Sequence, residues 1–335
     1  MLRSLEFLRI LSAIIVIFCH LPSFEGLNIL KASPFNGAIG VDIFFVISGV
    51  VISISIKGTN DSAFHFLCKR LLRVLPLYIL VTLSYLALSG TYNNFTVKDI
   101  VYSLMLIPSK NSNGIFSDPI VYLGWTLRFE LFFYCLAAIT IKFGRPLKLL
   151  ILMMMAAVAA NYLFDFYFGE PIILMFLGGF LIGWYKDKII QFSSSICFLY
   201  KIMFFLIAIS LFVTVSTGTD SQNFASDSVP RMSIEYTLFI VPRFIAWGVP
   251  SILLVFSALL LENDLSWKGY LLGKYTYSVY LLQVLSIPLA NRIYNFNNGF
   301  ESILVLIFIV SALSFFTYKF FESPINKFGR LKFSC

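Results

Sequence analysis

Runs of close to twenty apolar residues recur along this chain from residue 5 to residue 321, and that pattern decides most of what it can fold into. A helix needs about 20 such residues to cross the hydrocarbon of a bilayer. Ten stretches qualify, at approximately 5 to 23, 36 to 56, 74 to 90, 119 to 141, 149 to 164, 170 to 185, 195 to 215, 236 to 261, 270 to 290 and 301 to 321. Membrane-spanning strands would show about ten residues of strict alternation, whereas these runs are continuous. The expected class is therefore all-α: a polytopic integral membrane protein with about ten helices in one bundle, a single domain over residues 1–335. Composition agrees, with 59% hydrophobic and 13% charged residues and a mean hydropathy of +0.87, far from the soluble average.

The net charge of +8 would raise the question of nucleic acid in a soluble protein. Here the basic residues cluster in short segments between apolar runs, which topology explains without a nucleic-acid partner. With the N-terminus in the cytoplasm, 17 lysines and arginines fall on the cytoplasmic side and 5 on the outer side. Arg9, Arg128 and Arg243 remain inside spans, and both termini are expected to be cytoplasmic. No small-x-small cleavage site follows the first run, so it is expected to stay attached as the first spanning helix. The five cysteines, Cys19, Cys68, Cys135, Cys197 and Cys335, have neither paired nor metal-type spacing, and no disulfide framework or zinc site is inferred. Two outer segments are long, 89 to 119 and 216 to 235, and the apolar piece Ile100 to Ile107 within the first is too short to span and suits the membrane interface. Gly179 and Gly183, in "GGFLIG", are spaced for close helix packing.

An ionisable residue inside a span costs about 2.5–3.5 kcal/mol at the helix centre, so each invites a functional question. Arg9, His20, Asp42, Arg128 and Glu130 stand out. Arg9 and His20 are eleven residues apart, three helical turns and about 16 Å along one face. Arg3, Glu6 and Arg9 also form an i, i+3 ladder able to hold an ion pair. Asp42, in "GAIGVDIFFVISGVV", lies at a depth similar to His20 on the next, antiparallel span. It suits either a carboxylate orienting that imidazole or a cap on its own helix. Arg128 and Glu130, two residues apart, project about 160° from one another, so each needs a partner elsewhere. Lys69, Arg70 and Arg73 begin the third span, with Arg70 and Arg73 on one face, as a lipid anchor or a clamp for a phosphorylated cytosolic ligand. His65, near them, reads as solvated.

Six motifs in order resemble the membrane acyltransferase-3 family: Arg9 and His20 with ten residues between, "GVDIFFVISG" (40 to 49), "KRLLRVLPLY" (69 to 78), "WTLRFELFFY" (125 to 134), "LGKYTYSVYLLQ" (272 to 283) and "FFESP" (320 to 324). The match covers nearly the whole chain. It implies a ten-helix enzyme of the bacterial inner membrane that moves an acyl group, usually acetyl from cytosolic acetyl-CoA, to a hydroxyl of a cell-envelope or secreted glycan such as O-antigen or exopolysaccharide. The family's essential arginine and histidine fall on Arg9 and His20, its paired basic motif on Arg70 and Arg73, and the acidic residue of its tryptophan motif on Glu130. In this picture His20, Arg9, Asp42 and Glu130 are catalytic, and Lys69, Arg70, Arg73 and Arg9 hold the coenzyme. Trp125, Arg128 and Tyr277 meet the acceptor. Gln283 stands where many relatives carry histidine, and no hydrolase-like second domain is expected.

The resemblance also suggests why an apolar run is bounded by Arg9 and His20. Coenzyme A phosphates would stay at the cytoplasmic basic clusters while the pantetheine arm threads past Arg9 towards His20, a general base or acyl carrier. A transporter or flippase is the rival reading, since buried charges also mark translocation paths. Neither an inverted repeat nor a matched pair of broken spans supports it. A membrane scaffold leaves the buried ionisable groups unexplained.

Overall fold

The computed structural model describes residues 2–20, 36–58, 61–110, 116–217, 233–236, 239–264, 268–293 and 300–333. The helices are α1 (Arg3–His20), α2 (Gly40–Gly58), α3 (Ala63–Ser89), α4 (Val97–Leu104), α5 (Gly124–Lys142), α6 (Pro146–Phe164) and α7 (Ile173–Trp184). They continue as α8 (Lys186–Ser194), α9 (Phe198–Ser216), α10 (Val249–Leu260), α11 (Thr276–Ile293), α12 (Phe300–Thr317) and α13 (Ser323–Phe333). Two short ribbons interrupt them, β1 (Ser109–Lys110) with β2 (Phe116–Ser117) and β3 (Ser233–Tyr236) with β4 (Phe239–Pro242), both antiparallel.

The expected class is an all-α membrane protein, and the helices agree. Six segments among the described residues are long and apolar enough to cross a bilayer: Gly37–Gly58, Ala63–Ser89, Gly124–Lys142, Pro146–Phe164, Phe198–Ser216 and Leu304–Phe333. Ile173–Trp184 and Phe244–Leu260 are shorter apolar helices, and the expected spans 5 to 23 and 270 to 290 overlap α1 and α11, which are not among these segments. The expected span at 236 to 261 starts later than its hydropathy suggests. Its first residues form the β3–β4 ribbon, then a wide π turn over Phe244–Gly248 leads into α10. Pro250, in the first turn of α10, has no N–H to give the carbonyl of Ala246, which favours the wider turn. The Ile100 to Ile107 piece is helical only as far as Leu104, the end of α4, which is opened by a capping box in which Thr96 and Asp99 satisfy each other's backbone N–H. The Thr96 hydroxyl and N–H hold the Asp99 carboxyl below its ordinary range. Val101, Met105 and Ile107 are exposed on this segment.

The described residues cluster in two compact units, each discontinuous in sequence. The first contains α1, α2, most of α6, α7 to α10 and the β3–β4 ribbon. Its centre is the α2–α7 pair, where small residues let backbone approach backbone. A Cβ on Gly179 would stand 1.9 Å from the Val46 carbonyl oxygen, one on Gly49 2.1 Å from that of Phe176, and one on Gly183 2.0 Å from Ser53 Oγ. The close packing expected of Gly179 and Gly183 is what they do, with Gly49 as the facing partner. Glu262, from beyond α10, accepts from the Arg3 and Ser4 N–H groups at 2.8 and 2.9 Å. It satisfies helix-end donors that α1 cannot satisfy itself.

The same unit encloses an ion pair. Asp42, 0% exposed, accepts from Arg243 Nε at 3.1 Å and from a terminal guanidinium nitrogen at 2.7 Å. That nitrogen also donates to the Ala38 carbonyl at 3.2 Å. The guanidinium lies 5.0 Å from the Trp247 ring, whose Nε1 donates to the Val215 carbonyl at 3.1 Å. One arginine thus joins the start of α2 to the π turn, and its tryptophan neighbour ties in the end of α9.

The second unit contains α3, α4, the β1–β2 ribbon, α5 and, from Tyr277 onward, α11 to α13. Helix α3 is 27 residues long, about 40 Å, opened by Ser62 accepting from the His65 N–H at 3.2 Å and closed by Gly90 at φ +67°. It packs against both α5 and α13. His65, expected in solvent, is partly covered, its ring 5.9 Å from that of Phe333 on α13.

Two stability outcomes follow. Gly179→Val forces α7 off the Val46 carbonyl and lowers stability by about 1–3 kcal/mol, read as a fall in the unfolding temperature of detergent-purified protein. Asp42→Leu or Arg243→Met alone leaves one buried charge and costs about 3–5 kcal/mol, whereas the double variant recovers most of that loss in the same melt.

Candidate functional site

Four segments of the second unit bring ionisable groups to one place. Arg73, one turn after Arg70 on α3, is attracted electrostatically by Glu130 on α5 and by Glu322, and also interacts with the Tyr134 and Tyr277 phenols. Glu322 ends the π turn Tyr318–Glu322 that joins α12 to α13. The Glu130 carboxylate accepts a short hydrogen bond from the Tyr134 hydroxyl, one turn along α5. Glu322 accepts from Ser278 at 2.6 Å, and the Tyr277 hydroxyl donates to the Val74 carbonyl at 2.7 Å. The Arg70 guanidinium lies over two rings, 5.4 Å from Phe66 and 5.8 Å from Tyr134. Lys69, grouped with the two arginines in the sequence, instead forms an ion pair with Asp61 at 2.8 Å.

This arrangement follows from local sequence. Arg70 and Arg73 share a face at i, i+3, and so do Glu130 and Tyr134 at i, i+4. Tyr277 and Ser278 are neighbours about 100° apart on α11, so one reaches α3 while the other reaches Glu322. The result is two guanidinium groups, two carboxylates and two phenols within a frame of apolar helices. Such a set can hold an anionic ligand through arginine and exchange protons through carboxylate and phenol. Tyr134, Ser278 and Glu322 were not singled out as site residues in the sequence, although each lies inside a family-like motif.

Arg128 and Glu130 go separate ways, as their spacing requires. Arg128, 2% exposed, donates to the Ser117 carbonyl at 2.8 Å and the Ile107 carbonyl at 3.1 Å. It thereby ties the segment between α4 and α5 to α5. Ser103 adds a second tie, bonding the Tyr78 hydroxyl at 3.3 Å and accepting from the Ile120 N–H at 3.0 Å. An arginine expected to meet an acceptor is therefore engaged with backbone carbonyls. Trp125 stands edge-on to Phe129 with ring centres 6.2 Å apart, and Thr126 beside it bonds the Tyr280 hydroxyl at 2.9 Å.

In the first unit, Arg9 forms the expected i, i+3 ion pair with Glu6 at 3.5 Å. Helix α1 is continuous from Arg3 to His20, which gives the predicted three-turn separation of Arg9 and His20 along its backbone. The His20 side chain lies outside the described residues, and with it the expected pairing to Asp42. Asp42 is held by Arg243, whose presence inside a span was legible from the sequence while its partner was not.

The acyltransferase domain family matches residues 2–319. The chain is also similar to the "Exopolysaccharide production protein ExoZ" of Rhizobium meliloti (strain 1021), 30% identical over 167 residues, covering 46% of this chain and 53% of that protein. The chain thus spans about half the length of this curated relative. No solved structure matches. The family match covers both units, including α1, the Asp42–Arg243 pair and the Arg70, Arg73, Glu130 and Tyr277 positions: the chain belongs to the membrane acyltransferase-3 family.

Proposed function

We propose that this chain is an O-acyltransferase of the bacterial inner membrane that moves an acetyl group from cytosolic acetyl-CoA to a hydroxyl of an exopolysaccharide or related envelope glycan. The observation that carries the reading is the grouping of Arg70 and Arg73 with Glu130, Tyr134, Tyr277 and Glu322 at one end of α3. An ordinary lipid anchor would use arginines in this position without converging carboxylates and phenols from three other segments. The likeness to an exopolysaccharide production protein favours a secreted polysaccharide as acceptor.

The excess of lysine and arginine favours a cytoplasmic location for both termini and for the Arg70–Arg73 end of α3. Acidic phosphates of the donor then meet arginines on the side where acyl-CoA is made, and planar guanidinium groups suit phosphate better than lysine does. In the reaction, the acceptor hydroxyl oxygen bonds to the thioester carbonyl carbon and the carbon–sulfur bond breaks. The hydroxyl proton passes to the His20 imidazole and from there to the departing thiolate, so the base is restored. Arg9 meets the donor arm on its way towards His20, and Asp42, held by Arg243, fixes the start of α2. Glu130, engaged with Tyr134, sets a carboxylate close to Arg73.

Mass spectrometry of secreted polysaccharide tests this in cells making each variant at wild-type membrane level. His20→Ala removes the acyl esters, a loss of about 10²–10⁴-fold for a missing general base. Arg73→Gln reduces them at least about tenfold, and Arg73→Lys does not restore them, because the guanidinium fork is lost. Full acylation with His20→Ala refutes the assignment.

A further inference from the structure

Along α11 a row of polar side chains is matched one by one. Tyr277 donates to the Val74 carbonyl, Ser278 to Glu322, and Tyr280 bonds Thr126. The next residue on the i, i+3 row that holds Tyr277 and Tyr280 is Gln283, and the row stops being matched there. Gln283 is 4% exposed, yet neither its amide nitrogen nor its amide oxygen has a hydrogen-bond partner among the described residues. Its own carbonyl is satisfied by the Ser286 hydroxyl at 2.5 Å, so the deficit belongs to the side chain alone. Buried amides are nearly always paired, and one lacking both donor and acceptor partners needs a specific reason.

A second unmatched group lies in the same unit. Ser314 on α12 is 1% exposed and its hydroxyl also lacks a partner among the described residues. The Ser278–Glu322 bond fixes the level: Gln283 is five residues from Ser278 and Ser314 eight residues before Glu322, about 7.5 Å and 12 Å along their helices. Each unmatched group thus lies within about 12 Å, along the chain's helical path, of the bond that joins these elements. Gln283 is also six residues, about 9 Å, beyond Tyr277, which belongs to the Arg73 cluster.

We infer that Gln283 is a binding residue for the amide-bearing pantetheine arm of an acyl-CoA donor, an inference that rests on the acyl-CoA reading above. The chemistry is complementary. The arm is thin and uncharged, and its amide groups each offer one N–H and one carbonyl, which is what an enclosed carboxamide lacks. A donor whose phosphates are held near Arg70 and Arg73 lays its arm along α11, and its arrival supplies the missing partners. A saccharide hydroxyl could match the same amide, so the test separates the two sources.

The test uses the full-length protein in detergent and calorimetric titration with coenzyme A and, separately, with adenosine 3′,5′-bisphosphate, which lacks the arm. In Gln283→Leu, coenzyme A binds about tenfold more weakly, bisphosphate binding is unchanged, and the unfolding temperature holds or rises because an unpaired buried amide has been replaced by an apolar group of similar size. Gln283→Met, unbranched, repeats the measurement should leucine perturb packing. Unchanged coenzyme A affinity overturns the inference, whether the melt falls, which marks a structural glutamine, or the acceptor KM rises, which marks a saccharide contact. Equal weakening of both ligands overturns it as well. Failure of the wild-type protein to bind either ligand is a different result, which removes the acyl-CoA reading and this inference with it.

Discussion

A charge inside hydrocarbon must find a partner, and that requirement organises both units of this protein. No water stands ready within a bilayer to satisfy a guanidinium or a carboxylate, so each such group is affordable only where the fold brings it something. Asp42 takes both its bonds from Arg243, Arg128 spends its donors on two backbone carbonyls, and Arg73 is set among carboxylates and phenols. These three solutions differ in kind. A closed ion pair fastens helices and an arginine on carbonyls fastens a loop, but a mixed cluster of acids, bases and phenols retains groups able to exchange ligands and protons.

The apolar frame makes those arrangements possible. The glycine-lined contact between α2 and α7 brings two backbones close enough to act as a rigid wall. On it α2 presents Asp42 to Arg243 without freedom to move away. In the second unit, α3 serves as the spine: it carries Arg70 and Arg73 at one end, receives the Tyr277 hydroxyl at Val74, and bonds Ser103 of α4 through Tyr78. Polar function is thus fixed by long-range contacts on helices whose formation needs only local apolar sequence.

That division explains what the sequence disclosed. Helix class, the Arg9–Glu6 pair, the packing glycines and the divergence of Arg128 from Glu130 are set by spacing along one helix, and spacing is visible in a string of letters. The partner of Asp42 is 201 residues away, and nothing in either local pattern names the other. Arg243 was visible as an ionisable residue inside a span, the same signal that drew attention to Arg9 and Arg128. Glu322 and Ser278 join across 44 residues and the role of each depends on that meeting. The start of the 236 to 261 span was misplaced because hydropathy cannot tell a β ribbon from the first turns of an apolar helix. The carbonyl partners of Arg128 were hidden for a related reason, since no side-chain pattern reveals them.

The central claim is that an acyl group enters from the cytoplasmic side and leaves on a polysaccharide. Membrane vesicles of defined orientation, supplied with acetyl-labelled acetyl-CoA from outside and assayed for label in extracted polysaccharide, measure this directly. The account predicts labelling in inside-out vesicles that contain the protein and none in right-side-out vesicles or in vesicles lacking it. Polysaccharide that stays unlabelled in inside-out vesicles with the folded protein present, or labelling that proceeds equally in both orientations, would contradict it.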